Sequence, residues 1–176
     1  MENKQSGHSA ALSESKDCTT AVVRLSIFRS LVECCWMDYP SEKIVFRPDG
    51  GGWRCTRCES EWFVSDSYLG LPFRLYQNGE VYLQVGSKGG RAVLQMQKCG
   101  GVDIDFTRVS VGLVHSVRFH LAELSLRFRK QYFNPFGNKW IVNAGKRTED
   151  LTEGDRVLVP AILIIRSLII QGTSGP

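Results

Sequence analysis

Phe73-Arg74-Leu75-Tyr76-Gln77-Asn78-Gly79-Glu80-Val81-Tyr82-Leu83-Gln84-Val85 decides the fold class. Two runs, 73–76 and 81–85, alternate apolar and polar residues around Asn78-Gly79. Both turn residues accept positive φ, so the pair closes a two-residue antiparallel hairpin. Working outward, Ser87-Lys88-Gly89-Gly90 separates the second run from 92–96, and Gly100-Gly101 separates that run from 102–106. Three turns at regular spacing predict a four-stranded antiparallel meander over 73–111, with one apolar and one polar face.

The flanks are less decided. Over 21–36, Val23, Leu25 and Ile27 alternate with Arg24, Ser26 and Phe28, while Leu31, Val32 and Trp36 fit one helical face, so the reading is a strand passing into a short helix. Arg47-Pro48-Asp49-Gly50-Gly51-Gly52 is the strongest breaker in the chain. Over 114–130 two readings compete. As strands, the apolar phase slips and demands a turn or bulge near Ala122-Glu123; as a helix, Val114, Val117, Leu121, Leu124 and Phe128 fall on one face, and the helix is the reading taken. A short strand follows at 140–142, then a charged loop at 146–155. The apolar stretch 157–170 contains Pro160 and Arg166, is rich in β-branched residues and falls short of the roughly 18–20 residues that span a bilayer, so it reads as one or two buried strands and no membrane span is expected.

The fold class expected is therefore α+β, mainly β: an antiparallel meander with one or two helices. A single domain over 20–176 follows a polar, Ser-rich, flexible tail over 1–19. The chain has 22 Lys and Arg against 18 Asp and Glu, a net charge of +4, which allows a basic patch without compelling one. No apolar segment of secretory type opens the sequence, so a cytoplasmic or nuclear setting is expected, where close-spaced cysteines bind metal or stay free.

Among the candidates for chemistry, Trp53-Arg54-Cys55-Thr56-Arg57-Cys58-Glu59-Ser60-Glu61-Trp62-Phe63 is the sharpest. Two thiolates two residues apart can reach one tetrahedral Zn²⁺ from a tight knuckle. Cys34 or Cys35 is the preferred third ligand, with Cys99, His115 and His120 also in play. The plain alternative is two ordinary cysteines in an exposed turn, and a thioredoxin-like redox pair is the third reading, without the βαβ context that usually surrounds one. Arginines lie among aromatics at Arg54 and Arg57 and again at Arg118, Arg127, Arg129 and Lys130, a mixture suited to phosphate pairing and base stacking on RNA. A solvated charged face above a core stripe is the plain reading of the second cluster. No nucleotide-binding, hydrolase or zinc-protease motif occurs, and the histidines lie on the wrong side of the CxxC for a deaminase.

Cys55-Thr56-Arg57-Cys58, followed by Trp62-Phe63 and Val64-Ser65-Asp66, resembles the first cysteine knuckle of sobemovirus P1 proteins. That resemblance implies a small zinc-binding plant-virus accessory protein that suppresses RNA silencing, and carries over Cys55 and Cys58 as metal ligands. The function expected is non-enzymatic: binding of RNA or a host protein by sequestration. A self-assembling structural protein, forming a homo-oligomer through its sheet edges, and a cysteine hydrolase using Cys99 with His115 are the alternatives.

Overall fold

The computed structural model of the chain describes residues 18–26, 30–65, 73–88, 91–96, 99–105, 115–121, 124–131 and 137–173. The tail expected over 1–19 lies outside them up to residue 17, and the first strand opens at Thr19. The strands are β1 (Thr19–Ser26), β2 (Leu31–Trp36), β3 (Tyr39–Pro48), β4 (Gly52–Cys55), β5 (Trp62–Ser65) and β6 (Phe73–Gln77). They continue as β7 (Glu80–Lys88), β8 (Arg91–Met96), β9 (Cys99–Asp105), β10 (His115–Leu121), β11 (Leu124–Gln131) and β12 (Gly137–Ala144). A single helical turn at Thr148–Asp150 leads into one long helix, α1 (Glu153–Thr173).

All twelve strands belong to one sheet, ordered β10-β11-β12-β1-β2-β3-β4-β5-β6-β7-β8-β9, and each described ladder is antiparallel. The expected meander is β6 to β9, and its hairpin turn has φ of 50° at Asn78 and 85° at Gly79. The meander extends far beyond that core, because β1 pairs with β2 on one side and with β12 on the other. The two sheet edges, β9 and β10, approach within 8 Å between Cα atoms without sharing a ladder. The sheet thus curls back on itself.

What it curls around is α1. Residues 157–165 of the helix are all buried, and a helix apolar on every face must lie inside a core. Side chains from well-separated strands reach it: Trp36 of β2, Trp62 of β5, Tyr82 of β7 and Trp140 of β12. A twelve-stranded curl encloses a lumen too wide for its own side chains to fill, and the helix fills it. The inward rows are Ala21 and Val23, Cys34 and Trp36, Trp62 and Val64, Leu83 and Val85, and Trp140 and Val142, each alternating with outward neighbours.

Three expectations are corrected. The segment 31–36 is strand, not helix: Val32, Cys34 and Trp36 are buried while Glu33 and Cys35 are not. The segment 114–130 is no helix where described, but the hairpin β10–β11, with Val117 opposite Phe128 and Leu121 opposite Leu124. Residues that a helix would stack on one face are cross-strand partners in the hairpin, so both readings place the same residues together. The third correction is 157–170, which is helix rather than strand.

Pro160 argued against that helix, since it removes the N–H that would bond the carbonyl of residue 156. The indole of Trp36 supplies the missing donor, its Nε1 donating to Arg156 O at 3.2 Å. At the start of α1, Thr152 Oγ1 accepts from Asp155 N while Asp155 Oδ2 accepts from Thr152 N, both at 3.1 Å, a reciprocal capping box.

Candidate functional site

The CxxC turn is built at one end of this arrangement. Gly50 and Gly51, with φ of 46° and 88°, turn the chain from β3 into β4, where glycine holds such angles at the least steric cost. Gly52 has no room for a side chain, because a Cβ would meet Val64 O and the Phe63 ring. Strand β4 then ends at Cys55, in register with Trp62 at the start of β5. The intervening turn is tied to the helix: Glu153 Oε1 accepts from Ser60 N at 2.9 Å and from Trp62 Nε1 at 2.7 Å.

Within the turn, Cys55 Sγ and Cys58 Sγ lie 3.0 Å apart, with Cys55 fully buried and Cys58 half-buried. The hydrogen bond between them shares one proton. It holds Cys55 below the usual thiol range, helped by the backbone N–H groups of Arg57 and Cys58, and the same bond together with burial pushes Cys58 above it. Cys58 borders a cleft of about 250 Å³ lined by Glu42, Lys43, Arg57, Glu59, Glu153 and Arg156.

Sulfurs that share a tetrahedral zinc stand roughly 3.8 Å apart, as their bonds of about 2.3 Å require, so this pair is closer than a zinc would hold it. Nor does the fold bring Cys34 or Cys35 to it. Both sit on β2, and β3 intervenes before β4, which separates the Cys34 and Cys55 backbones by roughly 10 Å. Cys34 points into the core, where burial raises its thiol pKa, and Cys35 lies on the opposite face of the strand. Among the described residues no group of three thiol, imidazole or carboxylate side chains is placed to hold a metal. Cys99 stands on β9 and His115 and His120 on β10, and their side chains fall outside the described residues, as does the Cys99–His115 pair needed for a cysteine hydrolase.

The six basic candidates separate into four places. Arg54 is on the outer face of β4, ion-paired with Asp49 and Glu61 and lying over the Phe63 ring at 4.7 Å. Arg57 is exposed in the CxxC turn and has no ion-pair partner among the described residues. Arg127 and Arg129 lie on β11, with the backbone of Arg118 in register with Arg127 across the hairpin. Lys130 departs from the expected set. It alternates with Arg129 to the inner side, its Nζ 5.9 Å from the Trp140 ring, where burial and the neighbouring Arg166 lower its pKa.

Register shows what surrounds Arg127 and Arg129. Across the ladders, Arg127 continues to Asn143 and Thr20, and Arg129 to Ile141 and Val22. One row further along, Lys139 stands opposite Arg24. Arg24, Arg127, Arg129 and Lys139 therefore share the outer face of β11, β12 and β1. The segment 115–144 contains five Lys and Arg and a single acidic residue, Glu123, a net charge of +4 that equals the net charge of the chain. The nearest acid on the described outer face is Glu33 of β2, which pairs with Lys43 at 2.9 Å.

No known protein family, curated protein or solved structure matches the chain.

Sequence reasoning passed over Lys139, Arg24 and Glu153. The first two become neighbours only through the β1–β12 ladder, which joins segments more than a hundred residues apart. Glu153 had a legible signal in the capping box Thr152-Glu153-Gly154-Asp155, which marks a helix start.

Proposed function

We propose that the protein is a non-enzymatic binding module whose outer face on β11, β12 and β1 takes a polyanion, RNA being the occupant, through its phosphates. The single observation that carries this reading is the like-charge register, Lys139 opposite Arg24 and the backbone of Arg118 in register with Arg127, with the acid Glu33 entering only at the border of the face, opposite Arg24 across the β1–β2 ladder. Like charges placed directly across a ladder destabilise a sheet. An anion laid along the rows relieves that repulsion, and each neutralised phosphate releases a counterion.

The chemistry of the face favours backbone contact over base stacking. It offers the guanidinium of Arg127, the ammonium of Lys139 and the side-chain N–H groups of Asn143, whose Oδ1 accepts from Thr20 Oγ1 at 2.9 Å. The exposed-side aromatics Phe63 and Tyr76 stand elsewhere, on β5 and β6, 6.4 Å apart. Base-paired or folded RNA, read by shape and phosphate position, fits such a surface better than a single strand does.

Binding of a structured RNA by the Arg127→Ala, Arg129→Ala double variant, measured as a function of salt, tests the reading. The slope of log K against log salt should fall by about 1.5. The Arg54→Ala variant serves as the contrast, because Asp49 and Glu61 already engage that guanidinium. A slope that the β11 double variant leaves untouched, or that Arg54→Ala lowers equally, would overturn it. Binding of an acidic protein in place of RNA would move the assignment to a protein partner.

A further inference from the structure

From the position of the two sulfurs in the CxxC turn, we infer that Cys55 and Cys58 form a redox-active dithiol that exchanges with a glutathione-type peptide disulfide admitted by the cleft beside Cys58. The inference concerns the opposite side of the sheet order from the basic face and stands independently of the reading above.

Geometry carries it. The Sγ atoms are 3.0 Å apart, and a disulfide needs them about 2.05 Å apart, so closure asks for a displacement of about 1 Å within one short turn. That turn is already fixed at both ends, by the β4–β5 ladder and by the bonds from Ser60 and Trp62 to Glu153. The two cysteines also differ in access. Cys55 is fully buried, whereas Cys58 faces the cleft of about 250 Å³. An incoming disulfide meets Cys58 first, and Cys55 stands behind it.

The exchange balances in two displacements. The proton shared along the Cys55–Cys58 hydrogen bond passes onto Cys55 Sγ, the inaccessible sulfur, and Cys58 Sγ, then the thiolate, attacks one sulfur of the donor; a bond forms between Cys58 and that half, the donor S–S bond breaks, and the first thiolate leaves. Cys55 Sγ then attacks Cys58 Sγ, forming the Cys55–Cys58 bond and expelling the second thiolate. The two protons of the cysteines end on the two departing thiols. The pair loses two electrons and the donor gains them.

The lining suits a donor that bears both signs of charge. Arg57, with no ion-pair partner among the described residues, is available for a carboxylate, while Glu59 and Glu42 stand at the same cleft for an ammonium. Arg156 is held in place by Glu42 at 3.4 Å and by the Tyr39 ring at 4.6 Å.

The test equilibrates the full chain with graded mixtures of reduced and oxidised glutathione, quenches with an alkylating agent, and reads intact mass and peptide maps. The wild type should lose alkylation at Cys55 and Cys58 together and become two hydrogens lighter. Cys55→Ser should accumulate a single glutathione adduct on Cys58, and Cys58→Ser should leave Cys55 without one. Peptide mapping separates these from Cys18, which is exposed, and Cys35, which is partly so. Arg57→Ala should raise the oxidised glutathione needed by about threefold, with an uncharged small disulfide unaffected. Persistent alkylation of both thiols in the most oxidising mixture would overturn the inference, as would an adduct on Cys55 in Cys58→Ser. One equivalent of zinc in the purified protein, shielding both thiols until a chelator removes it, would overturn it in favour of a metal site.

Discussion

The helix inside the curl and the outer face of β11, β12 and β1 obey opposite rules. Along 157–165 every residue is buried, whatever side of the helix it occupies, and the segment tolerates neither polarity nor lost volume. On the outer face, Arg24 and Arg127 are exposed and Arg129 partly so, and the register stacks like charge against like. One region is written for stability and gives nothing to solvent. The other gives up a little stability to present charge. The difference teaches where function lies in a sheet wrapped on a helix: the lumen is occupied, so the outside and the ends of the curl are what remains for partners.

The contrast breaks most directly on a paired substitution. Leu158→Ala, at a fully buried position of α1, should cost about 3 kcal/mol in urea unfolding, while Arg127→Ala should stay within about 0.5 kcal/mol. Comparable losses at the two sites would erase the distinction between them.

A second substitution sharpens the account of the helix itself. Trp36→Phe strips the carbonyl of Arg156 of its indole donor and should cost about 2 kcal/mol, because Pro160 offers that carbonyl no backbone N–H. In a Pro160→Ala background the backbone donor returns, and the cost of Trp36→Phe should shrink by about 1 kcal/mol. Additive losses would mean that the indole does not stand in for the missing N–H.

Smaller effects belong to the sheet's periphery. Gly79→Ala forces a side chain onto φ of 85° in the β6–β7 turn and should cost about 1 kcal/mol by thermal unfolding, with no change in the RNA binding proposed for the β11, β12 and β1 face. Asp38 marks the acid side. The hydroxyls of Thr148 and Thr19 donate to its Oδ2, both at 2.5 Å, and hold its carboxyl below the usual carboxylate range. A depressed folded pKa means that its contribution is present above the unfolded value and is lost as pH falls through the folded one. Asp38→Asn should therefore flatten the acid limb of the stability profile and leave the neutral region little changed.

Much of the sheet was legible locally. Asn78-Gly79 and the three regular turns that follow yield β6 to β9, because a two-residue turn and the alternation beside it are both written within a dozen residues. The candidate site was legible only in part. Cys55 and Cys58 stand together because two residues of chain cannot separate them far, whereas the expected company of Cys34 and Cys35 failed on β3, which the fold inserts between β2 and β4. Lys130 was miscounted with its neighbours because a strand alternates faces and the helical reading of 114–130 hid that alternation.

By itself the sequence determined the mainly β class, the central meander, the turns at Gly50-Gly51 and Asn78-Gly79, and the proximity of the CxxC sulfurs, all of them consequences of short-range sterics and period-2 patterning. Only the tertiary structure decided that 157–170 is helix. An apolar run rich in β-branched residues favours strand in isolation, and it becomes helical here because a curled sheet surrounds it, so its backbone must satisfy its own hydrogen bonds where no strand is left to pair with it. The basic face was likewise settled by the β1–β12 ladder, which brings Arg24 against Lys139 across 115 residues of chain, a distance over which local pattern carries no information.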